Sequence, residues 1–235
     1  MATPTGLKDA KGNAVALGAE LAKGGEGAVF HIQGRTDTLA KVYLKPQPRE
    51  HAEKLTAMVA KAEPRITALG AWPTGTLHDR SGSTVGFVMP KLDGFKAVFQ
   101  LYSPKLRLQQ FPRADFRFVV AAASNAARAF SVVHSAGHVI GDVNHGNLAI
   151  AQDATVRMYD CDSFQITDGG RRWFCEVGVG THQPPEMQGL ASYRGVVRTP
   201  NHDNFGLAVF VFQLLYMGRH PFSGRPLGGG RASTP

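Results

Sequence analysis

The stretch from His134 to Phe164 constrains this chain more than any other. It runs Ile140-Gly141-Asp142-Val143-Asn144-His145-Gly146-Asn147 into the apolar Leu148-Ala149-Ile150. Past Gln152 and Asp153 it continues as Val156-Arg157-Met158-Tyr159 and then Asp160-Cys161-Asp162-Ser163-Phe164. The two apolar runs read as short strands with Gln152 and Asp153 at the turn between them. A hairpin returns the chain to its start, so Asn147 and Asp160 are expected side by side. Two neighbouring oxygen donors suit Mg²⁺, which binds few protein groups and fills its octahedron with water and phosphate oxygens. The competing reading is that both residues only cap turns, since Asn and Asp are common turn formers.

Upstream, Val15 to Leu21 reads as a strand and Ala28 to Ile32 as its return, with Lys23-Gly24-Gly25-Glu26-Gly27 between them. Glycines there let the backbone approach a phosphate and offer amide donors; hairpin turns also use glycine for its conformation alone. In Leu39-Ala40-Lys41-Val42-Tyr43-Leu44 the alternation puts Lys41 with Leu39 and Tyr43 on one face, and Ala40, Val42 and Leu44 on the other. A lysine in an apolar strand wants an anion, unless it is an edge residue whose stem reaches solvent. After Pro46-Gln47-Pro48, the stripe Leu55, Met58, Val59, Ala62 predicts a helix over 50–62. Glu53 falls nearly opposite that stripe, so it faces inward only if the helix buries its Thr56 and Ala57 side. Segments 74–77 and 84–89 read as a further antiparallel pair. Phe116, Val119, Val120, Ala123, Ala127 and Phe130 predict a helix over about 113–134.

Taken in order, these motifs resemble those of protein kinases over roughly residues 15 to 222. They are most similar to divergent bacterial Ser/Thr kinase-like proteins with a Gly-Asp-Val-Asn-x-x-Asn loop and an Asp-Cys-Asp-Ser-Phe run. The resemblance implies an α+β, bilobal protein-kinase-like fold: a small antiparallel β lobe over 1–90 and a mainly helical lobe over 91–222. It implies ATP and Mg²⁺ as cofactors and a protein substrate. Asp142 takes the position of the base, Asn147 and Asp160 those of the metal ligands. Lys41 takes that of the phosphate-binding lysine, paired with Glu53 or, as the alternate, Glu50. The glycine-rich loop has Ala22 where the first glycine stands, then Gly24, Gly25 and Gly27, with Val29 as the adenine roof. Met89 is the gatekeeper, and the Pro90 carbonyl and Leu92 amide read the adenine. Thr181 and Pro185-Glu186 match the end of an activation segment, and Asp203 is expected to accept amides from the catalytic loop.

Three departures matter. Ile140-Gly141 replaces His-Arg before the base, removing the arginine that answers a phosphorylated loop. Asn144 stands where a lysine neutralises the transferring phosphate, leaving Arg157 or Arg171 as replacement cations. Cys161-Asp162 replaces Phe-Gly, with Asp162 read as a turn cap or a further approach to the metal. The resemblance admits a Ser/Thr kinase, a nucleotide-binding pseudokinase scaffold, or a small-molecule phosphotransferase. Thr181 and Pro185-Glu186 argue against the last, since such segments serve peptide substrates. Kin of this type are linked with a phosphatase and a von Willebrand A protein.

With 43% apolar and 19% charged residues, the 235-residue chain is not disordered as a whole. No apolar run reaches bilayer length, and Met1-Ala2-Thr3-Pro4-Thr5-Gly6 lacks the blocks of a signal peptide, so a cytoplasmic location without a membrane is expected. Cys161 and Cys175 are expected as free thiols. The net charge of +8 is spread along the chain without aromatic interleaving, which argues against nucleic acid. The residues after Phe222 are expected to form a disordered tail, 223–235. The helical lobe then ends early, as in a compact family or a fragment of a longer protein.

Overall fold

In the computed structural model, which describes residues 4–224, strands begin earlier than the apolar pattern indicates. Asp9 accepts hydrogen bonds from the amides of Lys11 and Asn13 and from the Asn13 side chain. That turn joins β1 (Leu7–Asp9) to β2 (Ala14–Val15). There follow β3 (Leu17–Lys23), β4 (Gly27–Ile32), β5 (Arg35–Tyr43), α1 (Arg49–Ala60), the short α2 (Pro64–Thr67), β6 (Gly75–His78) and β7 (Thr84–Pro90). The seven strands form one antiparallel sheet in the order β2-β1-β6-β7-β5-β4-β3.

The alternation read in β5 holds. Ala40 and Val42 enter one apolar cluster with Phe30, Ile32, Leu77 and Val88. Leu39 and Tyr43 enter another with Leu55 of α1, Phe87 and Met89, against which Val29 packs. Lys41 shares that second face, opposite Val29 on one side and Phe87 on the other. A Cβ at Gly86 would sit 2.1 Å from the Lys41 carbonyl oxygen, so only glycine lets β7 lie this close to the lysine's strand.

The chain divides into two units. The first holds the elements named so far. The second begins at Gly94 with β8 (Lys96–Ala97), α3 (Phe99–Tyr102), α4 (Pro104–Gln110), α5 (Phe116–Ser135), β9 (Leu148–Ile150) and β10 (Val156–Met158). Asp115 caps α5 by accepting from the Phe118 amide at 2.8 Å. By length and composition alone α5 is apolar enough to cross a bilayer, contrary to the reading that no segment is. Its stripe Val119, Ala122, Ala126, Phe130 and Val133 is buried within the unit. The β9–β10 hairpin forms as expected, with its turn closed from Ala151 to Thr155.

The hairpin of β11 (Ile166–Asp168) and β12 (Arg171–Trp173) returns to the first unit, as does Asp160–Asp162. The sequence placed both in the helical lobe. They join the β-rich unit because Lys61, just past α1, pairs with Asp168 at 3.0 Å and Glu53 of α1 pairs with Arg171. The last described helix, α6 (Pro200–Leu215), starts at a Thr199–His202 capping box with proline at its first position and packs on α5. Met1 to Thr3 and residues 225–235 of the expected tail lie outside the described residues.

Candidate active site

In the first unit, Lys41 is buried and donates to Asp160 at 2.6 Å and to both oxygens of Asp162 at 2.9 Å. The Asp162 carboxylate also accepts from the Tyr43 hydroxyl at 2.8 Å, and that hydroxyl lies 2.7 Å from His51 Nε2 of α1. Burial alone lowers a lysine's pKa, but the charges of Asp162 and Asp160 outweigh it, so Lys41 stays protonated with its pKa raised. One cation thus serves two carboxylates, and their surroundings separate them. Burial and the charge of Asp162 push Asp160 up. Burial would also raise Asp162, but Lys41, the Tyr43 hydroxyl and the charge of Lys54 hold it below its ordinary value. Burial lowers His51 to about 4, so its ring is neutral at pH 7.

Asp160 has a left-handed backbone, φ 54°, a conformation Asp tolerates better than most residues. Its side chain is about one-third exposed, whereas that of Asp162 is enclosed. The glycine-rich segment forms the β3–β4 hairpin: Lys23 opposes Ala28, Ala22 opposes Val29, and the Gly24 amide donates to the Gly27 carbonyl at 2.9 Å. A Cβ at Gly27 would meet the Val42 carbonyl oxygen at 2.9 Å and the Lys41 stem at 3.4 Å. At Gly25 it would meet nothing, which leaves the hairpin tip open to a ligand. Met89 is buried beside Leu39 on the lysine's face, and Pro90 closes β7 opposite Thr38.

One expectation fails here. Glu53 does not pair with Lys41; it bonds Arg49 at 2.9 Å and Arg171 instead. α1 buries Lys54, Leu55, Ala57 and Met58, which turns Glu53 away from the strand, as its position on the helical wheel allowed. Glu50, the alternate, is exposed in the first turn of α1. Asp162 is more than a turn cap: it is a buried partner of Lys41 and Tyr43. Its carboxylate sits in a 3₁₀ turn (Cys161–Ser163) and is among the most deeply buried in the chain.

In the second unit, the Asn147 amide donates to Asp142 Oδ2 at 2.9 Å and to the Asp142 carbonyl at 3.1 Å. Asp142 Oδ1 is buried and has no hydrogen-bond partner among the described residues. Asn144 folds back into the loop: its oxygen accepts from the Gly146 amide at 2.7 Å and its amide lies 3.4 Å from the Asp142 carbonyl. Asp203 of α6 accepts from the amides of Ile140 at 2.7 Å and Gly141 at 2.8 Å, and from His134 at 2.8 Å. Thr181 bonds the His182 ring at 3.0 Å. Glu186 lies 3.6 Å from His202. No sequence motif points to Arg198, a buried cation that donates to the carbonyls of Gly141 and Val177 and to the Gln183 side chain while stacking on Tyr193. Of the replacement cations, Arg157 stacks on Phe95 and Arg171 is taken by Glu53.

No family model matches the chain. It is 46% identical over 222 residues to Protein kinase YegI of Escherichia coli O157:H7, and 46% identical over 217 residues to Protein kinase YegI of Escherichia coli strain K12. These matches cover 94% and 92% of this chain, which spans about a third (34%) of the length of either relative. Among solved structures it matches the ROP18 kinase domain in complex with AMP-PNP and sucrose, with a TM-score of 0.61 over 93% of this chain and 69% of that one, at 15% identity. A curled antiparallel sheet unit followed by a helical unit is the α+β, bilobal fold of protein kinases. By its similarity to these two protein kinases and by its fold, the chain is protein-kinase-like.

Proposed function

We propose that this chain transfers the γ-phosphoryl group of ATP, with Mg²⁺, to a Ser or Thr hydroxyl of a protein. The observation that carries this reading is Asp142. One of its oxygens is fixed by Asn147, and the other is buried without a partner. Leaving a buried acceptor unpaired costs about 1–3 kcal/mol, and a substrate hydroxyl is the donor that position suits. Asp142 then orients the hydroxyl and receives its proton as the oxygen attacks phosphorus and the bond to the ADP oxygen breaks. Lys41 is the ammonium for the nucleotide phosphates, beneath the backbone amides of the open glycine hairpin.

The donor set also fits a hard cation. Asp160 is a partly exposed carboxylate, and Asn147 has its amide nitrogen committed to Asp142, which leaves its oxygen for a metal. No three His, Cys, Asp or Glu side chains form a cage among the described residues, and Mg²⁺ does not need one. When bound, Mg²⁺ neutralises charge on the phosphates. A nucleotide-binding scaffold is the second reading, favoured by Asn144, which is spent on the loop's own turn and brings no positive charge. The named relatives are protein kinases and support the first. A phosphatase and a von Willebrand A protein are the partners to seek, in the cytoplasm.

Nucleotide binding is testable first. A ligand at about 100 times its Kd stabilises the state it binds by roughly 2.7 kcal/mol, so ATP with Mg²⁺ is expected to raise Tm by several degrees. Lys41→Met and Asp160→Ala are each expected to remove most of that shift. A shift that survives both substitutions contradicts the assignment.

A further inference from the structure

The anion that holds Lys41 comes from an unexpected place. Glu53 faces Arg49 and Arg171, while α1 turns a buried lysine, Lys54, and a neutral histidine, His51, inward. The helix therefore brings no acid to the strand lysine. The carboxylate bonding both Tyr43 and Lys41 is Asp162, two residues beyond Asp160. We propose that Asp162, not a helix glutamate, is the residue that positions Lys41 for the nucleotide, and that His51 of α1 is linked to the lysine through Tyr43 and Asp162.

The geometry separates the two aspartates by task. Asp160 gives Lys41 one oxygen and keeps a partly exposed carboxylate for a cation. Asp162 gives it both oxygens from an enclosed position and has no such exposed edge. When Asp160 turns to a cation, Lys41 keeps an anionic partner, and that partner is tied by two peptide bonds to the metal ligand itself. Lysine placement then does not depend on swinging α1 inward, because the helix contributes no acid to the lysine. The pairing of Lys41 is built into the Asp160-Cys161-Asp162 turn.

This inference rests on the nucleotide reading above, and one experiment tells their failures apart. The affinity of a fluorescent ATP analogue with Mg²⁺ is measured for the wild-type chain and for Lys41→Met, Asp162→Asn, Tyr43→Phe, Glu53→Gln and the double variant Lys41→Met/Asp162→Asn. A charge-assisted bond is worth roughly tenfold or more in affinity. Asp162→Asn is therefore expected to weaken binding at least about tenfold, Tyr43→Phe about threefold to tenfold, and Glu53→Gln by less than about twofold. The double variant is expected to bind no worse than Lys41→Met alone, a non-additivity that general destabilisation does not produce. If Lys41→Met abolishes binding while Glu53→Gln also weakens it tenfold and Asp162→Asn stays within twofold, the nucleotide site stands and the role of Asp162 is overturned. If Asp162→Asn does not fold, Tyr43→Phe decides: weaker binding supports the proposal, and a change under twofold overturns it. Should the wild-type chain not bind the analogue at all, both readings fall.

Discussion

Asp203→Ala is expected to cost about 3–5 kcal/mol of folding stability, the range for removing one member of a buried charged network. The carboxylate of Asp203 is buried, and its two oxygens take the amides of Ile140 and Gly141 and the ring of His134. Alanine leaves both amides without an acceptor where water does not reach, each at about 1–3 kcal/mol. The Gly141 carbonyl stays held by Arg198 and Gln183, but both donate to it, so neither bond replaces the acceptor that the two freed amides lose. The urea midpoint should fall accordingly. Asp203→Asn, which keeps an acceptor oxygen, should fall by less. A loss under about 1 kcal/mol for alanine would mean that other contacts hold the loop.

Asp142→Asn is expected to lower phosphoryl transfer by about 10²–10⁴-fold, the usual weight of a positioned general base, with the ATP-dependent rise in Tm retained. Asparagine keeps an oxygen to accept from Asn147, so the loop keeps its form, and the carbonyl of residue 142 still takes the Asn147 amide. What disappears is the charge and basicity at the unpaired oxygen. A variant that transfers at the wild-type rate, or one that also loses ATP binding, would remove Asp142 from the role assigned to it.

The parts legible in the sequence were those with local periodicity. The two faces of β5 followed from Leu39, Lys41 and Tyr43, α5 from its apolar stripe, and the β9–β10 hairpin from two short apolar runs around Gln152 and Asp153. The Asp203 contacts were also foreseen, because an Asp in the first turn of an apolar helix is a recurring anchor in the kinase pattern. The partner of Lys41 was not. Asp162 lies 121 residues from the lysine it bonds, and Arg171 lies 118 residues from Glu53. No spacing rule reports such distances. A short acidic run reads locally as a turn cap, and burial becomes visible only once β5, α1 and the Asp160–Asp162 turn are assembled. Arg198 was silent for a similar reason: in Val197-Arg198-Thr199-Pro200 it looks like a solvated residue before a helix, yet backbone carbonyls and a tyrosine face enclose it. β1 and β2 were missed because each is too short to show a period.

These residues are proposed to move a phosphoryl group rather than only hold a nucleotide. The most direct measurement is transfer of γ-labelled phosphate from ATP with Mg²⁺ or Mn²⁺ to protein serine and threonine, made on the natural-length polypeptide carrying this chain. Wild type and Asn144→Lys are compared, since the latter restores a positive charge near the transferring phosphate. The expected result is labelled phosphoserine or phosphothreonine from wild type, at a rate Asn144→Lys does not abolish. Binding of ATP by both forms with no label from either would contradict the kinase account and leave the scaffold.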